Sequence, residues 1–178
     1  MTESAAQKLV EALAEVCERH GYRLAVAESC TGGSLAAAIT DLPGASSFFV
    51  GGIISYSDNV KQKLLGVPPK VLAEHGAVSE PTGRAMAAGV RERLGADVGI
   101  SVTGIAGPTG ATPTKPVGLV YVAAATPHQT LVRRDVWPGS RGDVRAASVR
   151  AALELGLQAL EKVDRAPVTS RQGRKVAR

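Results

Sequence analysis

The residues able to do chemistry fall in three short stretches. The first is Ser29-Cys30-Thr31-Gly32-Gly33-Ser34, two possible nucleophiles ahead of a glycine pair. The second is Tyr56-Ser57-Asp58-Asn59-Val60-Lys61, which supplies a phenol and an amine. The third is Thr103-Gly104-Ile105-Ala106-Gly107-Pro108. A hydroxyl or thiol, a nitrogen base and backbone N–H groups freed by glycine turns are the parts an acyl-transfer site needs. The three histidines fall elsewhere, His20 and His75 at helix ends and His128 in a hairpin turn, so a Ser-His-Asp triad is disfavoured. No complete Walker motif, no GxGxxG and no zinc spacing occurs, and nothing calls for a metal or organic cofactor.

The elements that must position these groups follow from periodicity. Leu24-Ala25-Val26-Ala27 reads as a buried strand, and Ser34 to Ile39 as a helix start, so the first stretch is a strand-to-helix turn. Free N–H groups there favour an anion or a developing oxyanion, though Ser and Gly also serve such turns as plain caps. A first helix is expected from Glu3 to His20, with Leu9, Leu13 and Val16 on its inner stripe and Cys17 in the core. Phe48 to Ser57 reads as a second strand interrupted by Gly51-Gly52, which marks a bulge or close approach. Helices follow at Asp58 to Leu65, from Pro68-Pro69 to about His75, and from Ser79-Glu80-Pro81 to Gly95. Val98 to Thr103 is a third strand. A Gly-, Pro- and Thr-rich loop, Gly104 to Pro116, leads to an antiparallel hairpin of Val117 to Ala125 and Thr130 to Trp137. The last helix runs from Asp143 to about Val163.

That order predicts a three-layer α/β/α sandwich on a mixed, mostly parallel sheet of about five strands. All three chemical stretches then lie just beyond strand ends, where open α/β sheets bind ligands. Two adjacent residues of an extended segment face opposite ways, so of Ser29 and Cys30 only one should reach a substrate. On the residues alone, which one does so stays open.

Composition sets the outer bounds. The chain has 178 residues, 44% hydrophobic and 3% aromatic, which suits one tightly packed α/β domain over residues 1–164. The net charge of +5 is not spread over the fold. Arg165, Arg171, Arg174, Lys175 and Arg178 stand in a stretch without acids, and the remaining 16 basic residues balance 16 acidic ones. Residues 165–178 therefore read as a basic, disordered tail, through which nucleic acid would bind weakly if at all. Two cysteines, no leader and no apolar run of about 18 residues predict a cytoplasmic protein that does not enter the membrane.

The motifs AESCTGG, Gly52 with Tyr56-Ser57 and Lys61, HGAVSEP (His75 to Pro81), SVTGIAGP and KPVG (Lys115 to Gly118) together resemble the competence/damage-inducible (CinA) protein C-terminal domain family. The resemblance runs in order from Ala5 to Leu160. That family includes stand-alone nicotinamide-nucleotide amidohydrolases, and its fold is anticodon-binding-domain-like. The resemblance implies hydrolysis of the carboxamide of nicotinamide mononucleotide to nicotinate mononucleotide and ammonia, without metal, in pyridine-nucleotide salvage, by a homodimer. It implies Ser29 as nucleophile, Lys61 as base and Tyr56 as proton relay or orienting group. A lysine base must be neutral, so its pKa must fall. Cys30, Thr31, Gly32, Gly33 and Ser34 are expected to contact substrate, as are Thr103, Gly104, Ile105, Ala106 and Gly107. The phosphate is expected at the helix start after Gly33, with charge from Arg141 and Arg145. Glu28 is expected either to orient Lys61 or Tyr56 or to shape the turn. A non-catalytic nucleotide-binding module and a DNA-damage or competence factor are the alternatives.

Overall fold

Side-chain alternation along two central strands decides how the layers stack. A computed structural model describes residues 5–164. Strand β1 (Leu24–Glu28) is buried along its whole length. Its Leu24 and Val26 pack with Val98, Ile100 and Val102 of β3 (Val98–Gly104), while Ala25 and Ala27 enter a separate cluster on the other face. Two apolar faces on one sheet require helices on both. Helices α1 (Ala5–His20), α2 (Ser34–Thr40) and α6 (Arg141–Asp164) cover the first face. On the second face lie α3 (Asp58–Leu65), α4 (Pro69–His75) and α5 (Glu80–Arg93).

The five strands run in the order β2-β1-β3-β4-β5, where β2 is Phe49–Ile54, β4 Leu119–Ala125 and β5 Thr130–Val136. β1 is parallel to both β2 and β3, and β4 and β5 are antiparallel additions, as the short Thr126 to Gln129 link requires. The sandwich and its mixed sheet are as expected.

Boundaries shift for local reasons. β2 ends at Ile54, three residues short of its expected limit, although the Ser55 N–H still reaches the Glu28 carbonyl at 2.7 Å. The register of β1 on β2 slips between Leu24 and Ala25, and a side chain at Gly52 would come 2.6 Å from Val26, which accounts for the glycine pair. β4 starts at Leu119 because Gly118, at φ +87, is held against the Trp137 backbone and leaves no room for a Cβ. α6 starts two residues early, at Arg141.

Small residues let α5 settle onto the sheet. A Cβ at Gly99 would meet the Ala87 carbonyl at 2.2 Å, and Ser101 donates to the Gly83 carbonyl at 2.7 Å. This close seating brings the segment ahead of α5 against the end of β3. There the Thr103 hydroxyl donates to the Ala77 carbonyl at 2.7 Å.

Among the described residues no helix is long and apolar enough to cross a membrane. The basic stretch 165–178 lies outside the described residues.

Candidate active site

Ser29 is the first residue past β1, and its N–H donates to the Val102 carbonyl of β3 at 3.0 Å. It continues the alternation of Ala25 and Ala27, so it stands on the α3 to α5 side of the sheet. Helix α3 arrives on that side, begun by Ser57, whose hydroxyl caps the Val60 N–H, and ended by Gly66 in the left-handed conformation. Lys61 and Leu65, four residues apart, form its inward face and are both buried.

Lys61 Nζ lies 3.2 Å from Ser29 Oγ and donates to the Ser55 carbonyl at 2.7 Å. Residue 61 is 1% exposed, and among the described residues no carboxylate bonds to its amine. Burial lowers its pKa below the ordinary lysine value, against weaker opposing pulls from Asp58 and Cys30. An amine tethered through one hydrogen to a carbonyl and depressed toward neutrality can turn its lone pair to an adjacent hydroxyl.

A cavity of about 320 Å³ opens in front of this pair. Ser29, Cys30, Tyr56 and Lys61 line it together with Thr103 to Gly107, Ala77 and Val78, Thr109 and Gly110, and Arg141. That volume falls at the lower end of small-molecule sites, which span about 300–1,000 Å³.

Three sequence expectations need correction. An extended segment would turn Ser29 and Cys30 to opposite faces, yet both line the cavity, because the chain enters a turn directly after Ser29; Cys30 thereby borders the space where the family resemblance expected it to contact substrate. The Cys30 thiol also packs into the core, and burial pushes it up to about 11, opposed first by its own backbone N–H and then by Arg141 and Lys61. Tyr56 is 64% exposed at the rim, where its hydroxyl accepts from Arg141 at 3.4 Å. Among the described residues it bonds to neither Ser29 nor Lys61, so the relay role has no geometry here.

The third correction concerns the phosphate. The start of α2 is already filled from within: the Glu28 carboxylate accepts from Gly33 N–H at 2.9 Å, Leu35 N–H at 3.1 Å and Ala36 N–H at 2.8 Å. A buried carboxylate at a helix start is well placed electrostatically, and it displaces an external anion from the same donors. Glu28 thus shapes the turn and does not touch Lys61 or Tyr56. Thr31, Gly32, Gly33 and Ser34 do not line the cavity, nor does Arg145, which donates instead to the Thr31 carbonyl and to Ser34 Oγ, both at 2.7 Å. Of the two expected arginines, only Arg141 reaches the cavity, holding the Gly107 carbonyl at 2.9 Å.

Sequence reasoning missed two contributions. Ser55 supplies the carbonyl that fixes the lysine amine, and Ala77, Val78, Thr109 and Gly110 supply further cavity wall. Lys115 donates to the His75 carbonyl at 2.7 Å.

The CinA C-terminal domain family matches residues 6–160. The chain belongs to that family. A CinA-like protein from Mycolicibacterium gilvum is 50% identical over 141 residues, covering 79% of this chain and 33% of that protein. The chain spans about a third of the length of the curated relatives it matches. Among solved structures, the competence/damage inducible protein CihA from Agrobacterium tumefaciens superposes with a TM-score of 0.86 at 36% identity, covering 90% of this chain and 98% of that one. A CinA superfamily protein from Escherichia coli gives 0.84 at 34% identity, covering 89% and 93%. The CinA fold therefore extends over nearly all the described residues, and the Ser29–Lys61 pair sits inside the matched span.

Proposed function

We propose that this CinA-family chain hydrolyses the carboxamide of nicotinamide mononucleotide, giving nicotinate mononucleotide and ammonia. The observation that carries the reading is the 3.2 Å approach of a buried, carboxylate-free lysine amine to a serine hydroxyl on a cavity wall.

In this reading neutral Lys61 takes the proton of Ser29 Oγ as the oxygen bonds to the amide carbon. The carbonyl oxygen takes up the negative charge. The Cys30 N–H, next after the nucleophile, is the nearest candidate donor for it. Collapse of the tetrahedral adduct breaks the C–N bond, and the Lys61 ammonium returns the proton to the departing nitrogen, which leaves as ammonia. Water then attacks the Ser29 ester with Lys61 as base, the ester C–O bond breaks, and Ser29 regains its proton. Arg141 is the charge available to a substrate phosphate at the mouth. The pyridinium ring of the substrate favours the neutral form of the lysine.

The same reading includes a cytoplasmic location and a homodimer, the latter tested by sedimentation of the purified chain. Ammonia release from the mononucleotide, its riboside and free nicotinamide tests the activity. Release from the mononucleotide above the other two supports it. Binding of the mononucleotide without release supports a nucleotide-binding module instead.

A further inference from the structure

Arg145 was expected to hold phosphate, but its contacts point to another task. Its Nη2 donates to the Thr31 carbonyl and to Ser34 Oγ, both at 2.7 Å, and its Nε donates to the same carbonyl at 3.3 Å. All three contacts fall on the turn that follows the nucleophile. The turn is closed by the Gly32 N–H donating to the Ser29 carbonyl at 3.1 Å, which makes Cys30 and Thr31 its two central residues.

The far side of the turn is fixed by Glu28, which accepts three N–H groups from the first residues of α2 and its cap. The near side has fewer ties. The Thr31 carbonyl takes the Ser34 N–H at 3.2 Å, and the Thr31 hydroxyl, although buried, has no partner among the described residues. Among the described residues the N–H groups of Cys30 and Thr31 likewise have no backbone acceptor. Arg145 is thus the one side chain, among the described residues, that bonds to the central residues of this turn from α6. A guanidinium fork on one carbonyl and one hydroxyl fixes direction as well as distance.

We infer that Arg145 is a positioning residue: by holding the Thr31 carbonyl and Ser34 it clamps the Ser29–Ser34 turn so that the Cys30 N–H, at the cavity wall, is aimed at the oxyanion formed on a substrate attacked by Ser29. Donors held in advance toward a developing charge accelerate reaction because nothing reorganises during the step. The guanidinium acts through the Thr31 carbonyl and touches no substrate. The inference rests on the amidase reading for its turnover readout but not for its labelling readout.

The test uses Arg145→Met, Arg145→Lys and Ser34→Ala in the full chain, each checked by thermal melting. The first readout is the second-order rate at which a fluorophosphonate labels Ser29, which needs the nucleophile and oxyanion donors but no amidase activity. The second is kcat and KM for the mononucleotide and its riboside. Clamping predicts that Arg145→Met labels about 10–100-fold slower and loses kcat by a similar factor on both substrates, with KM and the mononucleotide preference kept. Arg145→Lys, able to keep one contact but not the fork, falls between, and Ser34→Ala shows a smaller loss in the same direction should Arg145→Met not fold. Wild-type labelling rates in a folded Arg145→Met overturn the inference. So does a loss confined to the KM of the mononucleotide, which would make Arg145 a phosphate ligand. A wild-type chain that labels at Ser29 but releases no ammonia sinks the amidase reading alone, and the labelling series still decides the role of Arg145.

Discussion

The Lys61 amine is 3.2 Å from the Ser29 hydroxyl and is held by the Ser55 carbonyl rather than by any acid. A carboxylate in place of that carbonyl would keep the lysine charged and remove its use as a base. The carbonyl tethers the amine and leaves its protonation to the surroundings, in which residue 61 is buried.

The pH dependence follows from that arrangement. Burial lowers the Lys61 pKa, so the rate of acylation should rise with pH along a limb lying below the ordinary lysine range. Stability has the same sign. Between the folded and unfolded pKa values the unfolded chain binds more protons, so stability climbs with pH through that window and is flat below it. Lys61→Met should abolish turnover and melt at or above wild type near neutrality, with its advantage shrinking as pH rises toward 10. Melting curves across pH for the two proteins check this, and a wild type that loses stability over the same rise contradicts it.

Cys30 shares the cavity but not the role. Its thiol is pushed up to about 11 by burial, so it holds little thiolate near neutrality. Cys30→Ala should retain kcat within about tenfold, since only packing and turn geometry are disturbed. Loss of all turnover in a folded Cys30→Ala would move the chemistry to the thiol.

Arg141 is the cavity arginine, and its removal should be read by substrate. Arg141→Met should raise KM for the mononucleotide by about 10–100-fold, the worth of roughly 1.5–3 kcal/mol for a charged hydrogen bond, and leave the riboside nearly unchanged. Parallel titrations of both substrates check this. An equal loss on both would assign Arg141 to holding the Gly107 carbonyl alone.

Glu28 is a stability residue placed beside the nucleophile. Its carboxylate serves three N–H groups at the start of α2 while only 1% exposed. Glu28→Ala should destabilise the chain by about 2–4 kcal/mol, because buried donors lose a charged acceptor. Denaturant unfolding measures it, and a change under about 0.5 kcal/mol, the size of ordinary surface substitutions, would contradict the assignment.

These residues also show what was legible in the chain. The element order, the hairpin and the meeting of Ser29 with Lys61 could be anticipated, because strand and helix periods are local and the motifs carry a family likeness. The contents of the anion site could not. Whether the start of α2 is free depends on Glu28 folding back over its own turn, a conformation that spacing alone does not distinguish from an open one. Arg141 and Arg145 are one helical turn apart in sequence. Only the packing of α6 decides that one reaches the cavity and the other the turn beneath it. Tyr56 was misread for a related reason: β2 ends at Ile54, and the chain then carries the ring outward to the rim.

Ammonia release from nicotinamide mononucleotide by wild type, Ser29→Ala, Lys61→Met and the double variant tests the central claim most directly. The account predicts release by wild type, a loss of at least about 1,000-fold in each single variant, and no further loss in the double, because the two groups act as one unit. No release by a folded wild type, or a Ser29→Ala that keeps its rate, would contradict it.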